Sequence, residues 1–118
     1  ELRAFFASMR RLYPEQKITA IFQPHLFSRT RDFVDGFAEV LGQVDELLLL
    51  DIYPARELPI EGVDAAWLLS KVNLDNKRLV SPQEVLQIVA KEKPALLVTV
   101  GAGDIDRLVN DIKALKNE

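Results

Sequence analysis

The sequence contains no cysteine and a single histidine, His25. Those counts exclude disulfides, thiol chemistry and a His/Cys metal site. It also lacks a basic run: 15 lysines and arginines stand against 18 acidic residues, for a formal net charge of −3. The continuous phosphate contacts that nucleic-acid binding needs are therefore not expected. No apolar stretch nears the ~18 residues of a membrane span, and no signal peptide is visible. There is no G-x-x-x-x-G-K-S/T loop to cradle a triphosphate and no G-x-S-x-G nucleophile elbow. Carboxylates are plentiful, but none are spaced as a paired acid and base. The pattern of absences fits a cytoplasmic protein that lacks the parts of a complete enzyme.

What is present is a globular composition. At 118 residues, 48% hydrophobic and 28% charged, the chain has the material for one domain with one core. Residues 2–13 place Leu2, Phe5, Phe6, Met9 and Leu12 at helical spacing. Pro14 closes that helix, which opens without a capping side chain. Ile18–Phe22 reads as a buried strand. Phe33, Phe37, Val40, Leu41 and Val44 then mark one face of a helix, with Ser28 or Thr30 as its N-cap. Leu47–Leu50 is a continuous apolar run that fits a central parallel strand.

Residues 53–62 hold two prolines and a glycine and form the longest irregular stretch. Residues 63–72 are expected to be helical with Val63, Ala66, Trp67 and Val72 inward, and 78–80 to be a short strand. Ser81-Pro82-Gln83-Glu84 is a capping box with proline at the first helical position. Ala95–Val100 is a second apolar strand, and Ile105, Leu108, Val109, Ile112 and Leu115 line the last helix. The alternation predicts an α/β, three-layer, Rossmann-like domain with a mainly parallel sheet flanked by helices.

The organising stretch is 22–31, Phe-Gln-Pro-His-Leu-Phe-Ser-Arg-Thr-Arg. It is a strand-to-helix corner, which in such folds lies at the carboxyl end of the sheet, where ligands bind. Arg29 and Arg31 near the helix start face the positive end of the macrodipole, a placement that points to a bound anion. Ordinary surface pairing with Asp32 and Asp35 is the bland alternative. The 53–62 loop should share that rim, as a functional loop or a plain crossover. Gly101-Ala102-Gly103 follows a strand and opens a helix. Asp104 and Asp106 would repel a pyrophosphate there, so a tight turn allowing strand and helix to pack closely is the better account.

Phe22–Asp32 resembles a signature of the carboxy-terminal domain of the Mur ligase family. Further matches fall in order: Val44-Asp45 before Leu47–Asp51, Tyr53-Pro54-Ala55-Arg56-Glu57 with Pro59-Ile60-Glu61-Gly62, and Gly101-Ala102-Gly103-Asp104-Ile105. The family carries a histidine-rich segment just ahead of a Glu-Leu like Glu1-Leu2. The resemblance therefore implies that residues 1–118 are one domain of a longer, three-domain enzyme, inactive alone.

It implies cytoplasmic peptidoglycan-precursor synthesis, in which ATP phosphorylates a muramoyl carboxylate and an amino-acid amine attacks the acyl phosphate. The implied partners are UDP-N-acetylmuramate, L-alanine and the amino-terminal and central domains of the same chain. ATP and Mg²⁺ would be bound mainly outside this segment. His25 and Arg29 become candidates for the alanine carboxylate, and Arg31 the second choice. Tyr53, Arg56 and Glu57 are possible rim residues. Many relatives have arginine where this chain has Leu26; Arg56 is a candidate to replace that charge. The rivals are the related peptide-recycling muramate ligase and a non-catalytic α/β interaction module.

Overall fold

The computed structural model describes residues 2–101 and 103–116. Glu1 and Ala102 lie outside the described residues, so the Glu-Leu start and the middle of the glycine turn are not characterised. The elements run α1 (Leu2–Leu12), β1 (Ile18–Gln23), α2 (Phe27–Asp32), α3 (Val34–Leu41), β2 (Glu46–Leu49), α4 (Ala65–Lys71), β3 (Lys77–Leu79), α5 (Pro82–Glu92), β4 (Leu96–Gly101) and α6 (Asp104–Lys116). The four strands form one sheet in the order β3-β2-β1-β4, and every pairing is parallel.

The period of two along the strands builds the layers. Leu47 and Leu49 face α1, α3 and α4, together with Ile18, Ala20 and Phe22. Leu48 and Leu50 face α5 and α6, together with Ile21. All four leucines are at 1% exposure or less, and fully burying each stabilises by about 1.5–3 kcal/mol. A run without alternation is thus what a strand covered on both faces requires. β4 is the opposite case. It is an edge strand, and of its six residues only Val98 is fully buried.

Helix ends follow local chemistry. Ser81 and Glu84 form the expected reciprocal box, with Pro82 inside the first turn. Asp64 caps α4 by accepting from the Trp67 amide at 2.8 Å. At the other end of α4, the Lys77 ammonium donates to the Leu69 and Val72 carbonyls at 3.0 and 2.8 Å. It supplies a cation where the helix leaves its acceptors open.

Several expectations fail for identifiable reasons. The segment after the corner is two helices rather than one. The break is at Phe33, which is 60% exposed and not part of the inward stripe. Ser28 and Thr30 lie inside α2; its N-cap is Leu26, which offers no side-chain acceptor. In α4 the inward residues are Ala65 and Leu68, while Ala66 is exposed and Trp67 half-buried. Asp64 caps the helix, which starts two residues later than expected, while the expected Val63 and Val72 are buried just outside its two ends. In α1 only Phe6 is buried, with Phe5 at 41% and Leu12 at 66% exposure. Among the described residues no helix is long and apolar enough to cross a membrane.

Candidate functional site

Strand order fixes where a ligand crevice must open. From β1 the chain passes over one face to β2 and then β3. It then crosses to the other face through α5 and returns in β4 on the far side of β1. The winding reverses between β1 and β4, and the carboxyl ends of those two strands flank the crevice of an open α/β sheet. The 24–26 corner leaves β1 there, and the Gly101–Gly103 turn leaves β4 beside it, with Gln23 paired to Gly101.

Gln23 closes the floor of this point. Its side chain is 2% exposed and all of its polar capacity is directed. The amide nitrogen donates to the Asp51 carbonyl and to Asp104 Oδ2, both at 3.2 Å. The amide oxygen accepts the Ile105 N–H of the first turn of α6 at 3.0 Å. One residue thus joins the ends of β1 and β2 to the start of α6. The sequence signal for it is a polar residue directly ending an apolar strand.

The glycines are required by a strand neighbour at Gly101 and a loop ring at Gly103 rather than by a strand–helix contact, which corrects the expected reason. Gly101 has φ +125, and a Cβ there would run into the Gln23 carbonyl. Gly103 has φ +105, and a Cβ would stand 2.5 Å from the Tyr53 ring. Tyr53 in turn stacks on His25, with ring centroids 5.9 Å apart and planes 13° from parallel. Backbone bonds lock the same pair. Leu26 N–H donates to the Tyr53 carbonyl at 2.9 Å, and Tyr53 N–H to the Pro24 carbonyl at 2.8 Å. Gly103, Tyr53 and His25 therefore form a stack drawn from three loops on one rim.

Beyond His25 the backbone is strained. Leu26 adopts φ 72 and ψ 136, a region that costs a non-glycine residue about 1–3 kcal/mol. The buried Thr30 hydroxyl donates to the Leu26 carbonyl at 2.8 Å. On the opposite side Glu57 reaches across from the 53–62 loop. Its Oε1 accepts the Ser28 N–H at 3.1 Å and its Oε2 accepts the Ser28 hydroxyl. The Ser28 hydroxyl and amide, aided by the Phe27 amide and the Arg31 charge, hold the Glu57 carboxyl below its ordinary range against partial desolvation. The start of α2 thus receives an anion, and that anion is the protein's own Glu57.

The cations separate into two kinds. Arg31 is paired with Asp32 at 2.9 Å on the surface, and that bond and charge raise its pKa further above the ordinary range. Arg29 and Arg56 are exposed and make no hydrogen bond or ion pair among the described residues. α2 is only six residues long and both Arg29 and Arg31 fall in its last turn. The dipole argument for an anion therefore fails, since a cation in a last turn is favourable. Arg29 still lies on the element that leaves the switch-point corner, four positions after His25. Among the described residues no group of three or more His, Cys, Asp or Glu could hold a metal ion.

A four-stranded parallel sheet with helices on both faces and a polar rim at its switch point defines a Rossmann-like α/β domain. No family model matches the chain. Its relatives are nonetheless specific. It is 54% identical over 113 residues, 96% of its length, to the UDP-N-acetylmuramate–L-alanine ligase of Flavobacterium psychrophilum. It is 51% identical over its whole length to that of Flavobacterium johnsoniae, and 50% identical over 98% of its length to that of Parabacteroides distasonis. The chain belongs to the family of these ligases, and it spans about a quarter of the length of the relatives it matches.

Proposed function

We propose that residues 1–118 are the carboxy-terminal domain of an ATP-dependent ligase that adds L-alanine to UDP-N-acetylmuramate in the cytoplasm. In this reading the domain closes over an active site built with the amino-terminal and central domains of the same chain. Its contribution is to receive the amino acid. Arg29, with His25 beside it, accepts the alanine carboxylate, for which a planar guanidinium offers a bidentate fork.

The observation that carries this is the exposed Arg29 guanidinium, which makes no hydrogen bond or ion pair among the described residues and lies four positions after the His25 that stacks on Tyr53, in a chain whose relatives bear the L-alanine ligase name. Arg31 is a poorer candidate because Asp32 already neutralises it. Arg56 stands on the same rim and is the candidate replacement for the charge that Leu26 does not supply. Among the described residues no group of three or more His, Cys, Asp or Glu could hold a metal ion, and the sequence has no triphosphate loop, so in this reading ATP and Mg²⁺ are bound mainly outside this segment.

The test is steady-state kinetics of the full-length ligase. Arg29→Ala should raise the KM for L-alanine roughly tenfold to a hundredfold, the loss of one charge-assisted bond of ~1.5–3 kcal/mol. The KM for ATP should stay put, and Arg31→Ala should change the alanine KM less than about twofold. An unchanged alanine KM in Arg29→Ala would sink the assignment.

A further inference from the structure

The 53–62 loop and the 24–28 corner are separate in sequence and joined in space by three contacts: the His25–Tyr53 bridge, the His25–Tyr53 ring stack, and the Glu57–Ser28 clasp. The clasp is the unusual one. A short helix is normally capped by its own preceding residue, with Ser, Thr, Asp or Asn at the N-cap. Here the N-cap is Leu26 at positive φ, which has no acceptor to give. The acceptor comes instead from a residue 29 positions away.

A remote cap does something that a local one does not. It makes the placement of α2 depend on the loop that carries Tyr53. Both Glu57 oxygens are engaged by one residue, Ser28, through its N–H and its O–H. Two bonds to one residue fix orientation as well as distance. Ser28 immediately precedes Arg29. On the other side of Arg29, Thr30 fastens the carbonyl of the strained Leu26. Arg29 is therefore held between two anchored neighbours while its own side chain stays uncommitted.

We infer that Glu57 is a positioning residue: by clasping Ser28 it sets the strained corner so that Arg29 and His25 present together toward the incoming amino acid. The inference rests on the reading of Arg29 as the alanine-carboxylate group. Glu57 does not touch the substrate; it acts through Ser28. The tight turn that carries it supports this role. Glu57 N–H donates to the Pro54 carbonyl at 2.8 Å, and Ala55 inside that turn takes φ 53. A loop that places one carboxylate by putting an alanine at positive φ is fixed in shape.

The experiment is a double-mutant cycle in the full-length ligase, using Glu57→Ala, Arg29→Ala and the pair, with KM measured separately for L-alanine, ATP and UDP-N-acetylmuramate. Glu57→Ala should raise the alanine KM by about tenfold and leave the other two within about twofold. In the Arg29→Ala background it should add little, because the group it positions is gone. Glu57→Gln, which keeps an acceptor for the Ser28 hydroxyl, should recover most of the loss. It also serves as the readable variant if Glu57→Ala does not fold.

A raised alanine KM in Arg29→Ala with no change in Glu57→Ala and Glu57→Gln overturns the positioning role alone. So do equal losses for all three substrates, or full additivity of the pair; either would make Glu57 a plain structural cap. An unchanged alanine KM in Arg29→Ala overturns the substrate reading and this inference with it.

Discussion

The two ends of the sheet handle charge in opposite ways. At the amino end, where β2 begins, Glu46 is 2% exposed and its carboxylate is shared among three partners. Its carboxylate accepts from the Thr19 hydroxyl at 3.1 Å and from Arg78 at 2.8 Å, with Lys17 at 3.7 Å. Arg78 then reaches Glu92 of α5 at 3.2 Å. Beside it Asp45 accepts from the Ile18 N–H at 2.7 Å and from Arg10 of α1 at 2.8 Å. At the carboxyl end the buried polar residue is the neutral Gln23, the one bonded carboxylate at the start of α2 is Glu57, and Arg29 and Arg56 are left unpaired. The amino lip's ion pairs tie α1 and α5 to the sheet. The carboxyl lip leaves two exposed guanidinium groups without an ion pair among the described residues.

Breaking the carboxyl end at its backbone should have the largest effect. Gly101→Ala would add a Cβ against the Gln23 carbonyl at a φ of +125, so relief through a side-chain shift is not open to it. Strain and overpacking together predict a loss of about 2–5 kcal/mol. Chemical denaturation should show a lower midpoint, and activity of the full-length ligase should fall with it, because Gln23 and the α6 turn would move. An unaltered midpoint would mean that β4 can slide away from β1, and the switch point would not be rigid.

Glu46→Ala tests the other lip and should cost less, about 1–3 kcal/mol. Thr19 would lose its acceptor, while Arg78 keeps Glu92 and is part-exposed to water. The informative comparison is with Arg29→Ala. Glu46→Ala should lower the denaturation midpoint and leave the alanine KM alone; Arg29→Ala should do the reverse, with stability changed by no more than about 0.5 kcal/mol. If both variants moved both quantities, the division of labour between the lips would not hold.

The layered fold was legible in the sequence because its signals are strong and redundant. Leu47–Leu50 is too short for a helix and unbroken enough for a doubly covered strand, and the Ser81–Glu84 box names its own helix start. The rim was legible as a location, since a corner after a buried strand belongs at the carboxyl end. Its internal wiring was not. That Glu57 rather than Ser28 or Thr30 supplies the acceptor for α2 is a contact across 29 residues, and nothing local announces it. The same holds for Tyr53 against Gly103: a glycine in a turn advertises freedom of φ, but not which ring occupies the space. The break at Phe33 was hidden because an exposed phenylalanine mimics the spacing of a buried one.

The smallest expected effect concerns acid. Burial pushes the Asp45 carboxyl up, but the Arg10 hydrogen bond, the Ile18 amide and the charges of Arg10 and Lys17 outweigh it, so its pKa lies below the ordinary value of 3.8. A carboxyl depressed by folding contributes stability that is complete above its unfolded pKa and disappears as pH falls through the folded one. Wild type should therefore exceed Asp45→Asn in stability near neutrality, and the gap should close as pH drops below about 4. Because the Arg10–Asp45 pair is part-exposed, with side chains 40% and 39% accessible, solvent limits the gap to at most ~1 kcal/mol. Urea midpoints of the two proteins between neutral and strongly acid pH measure it directly. A gap that widened on acidification would have the wrong sign for a depressed carboxyl, and would show that the amino lip is held by packing around Ile18 rather than by the charges gathered there.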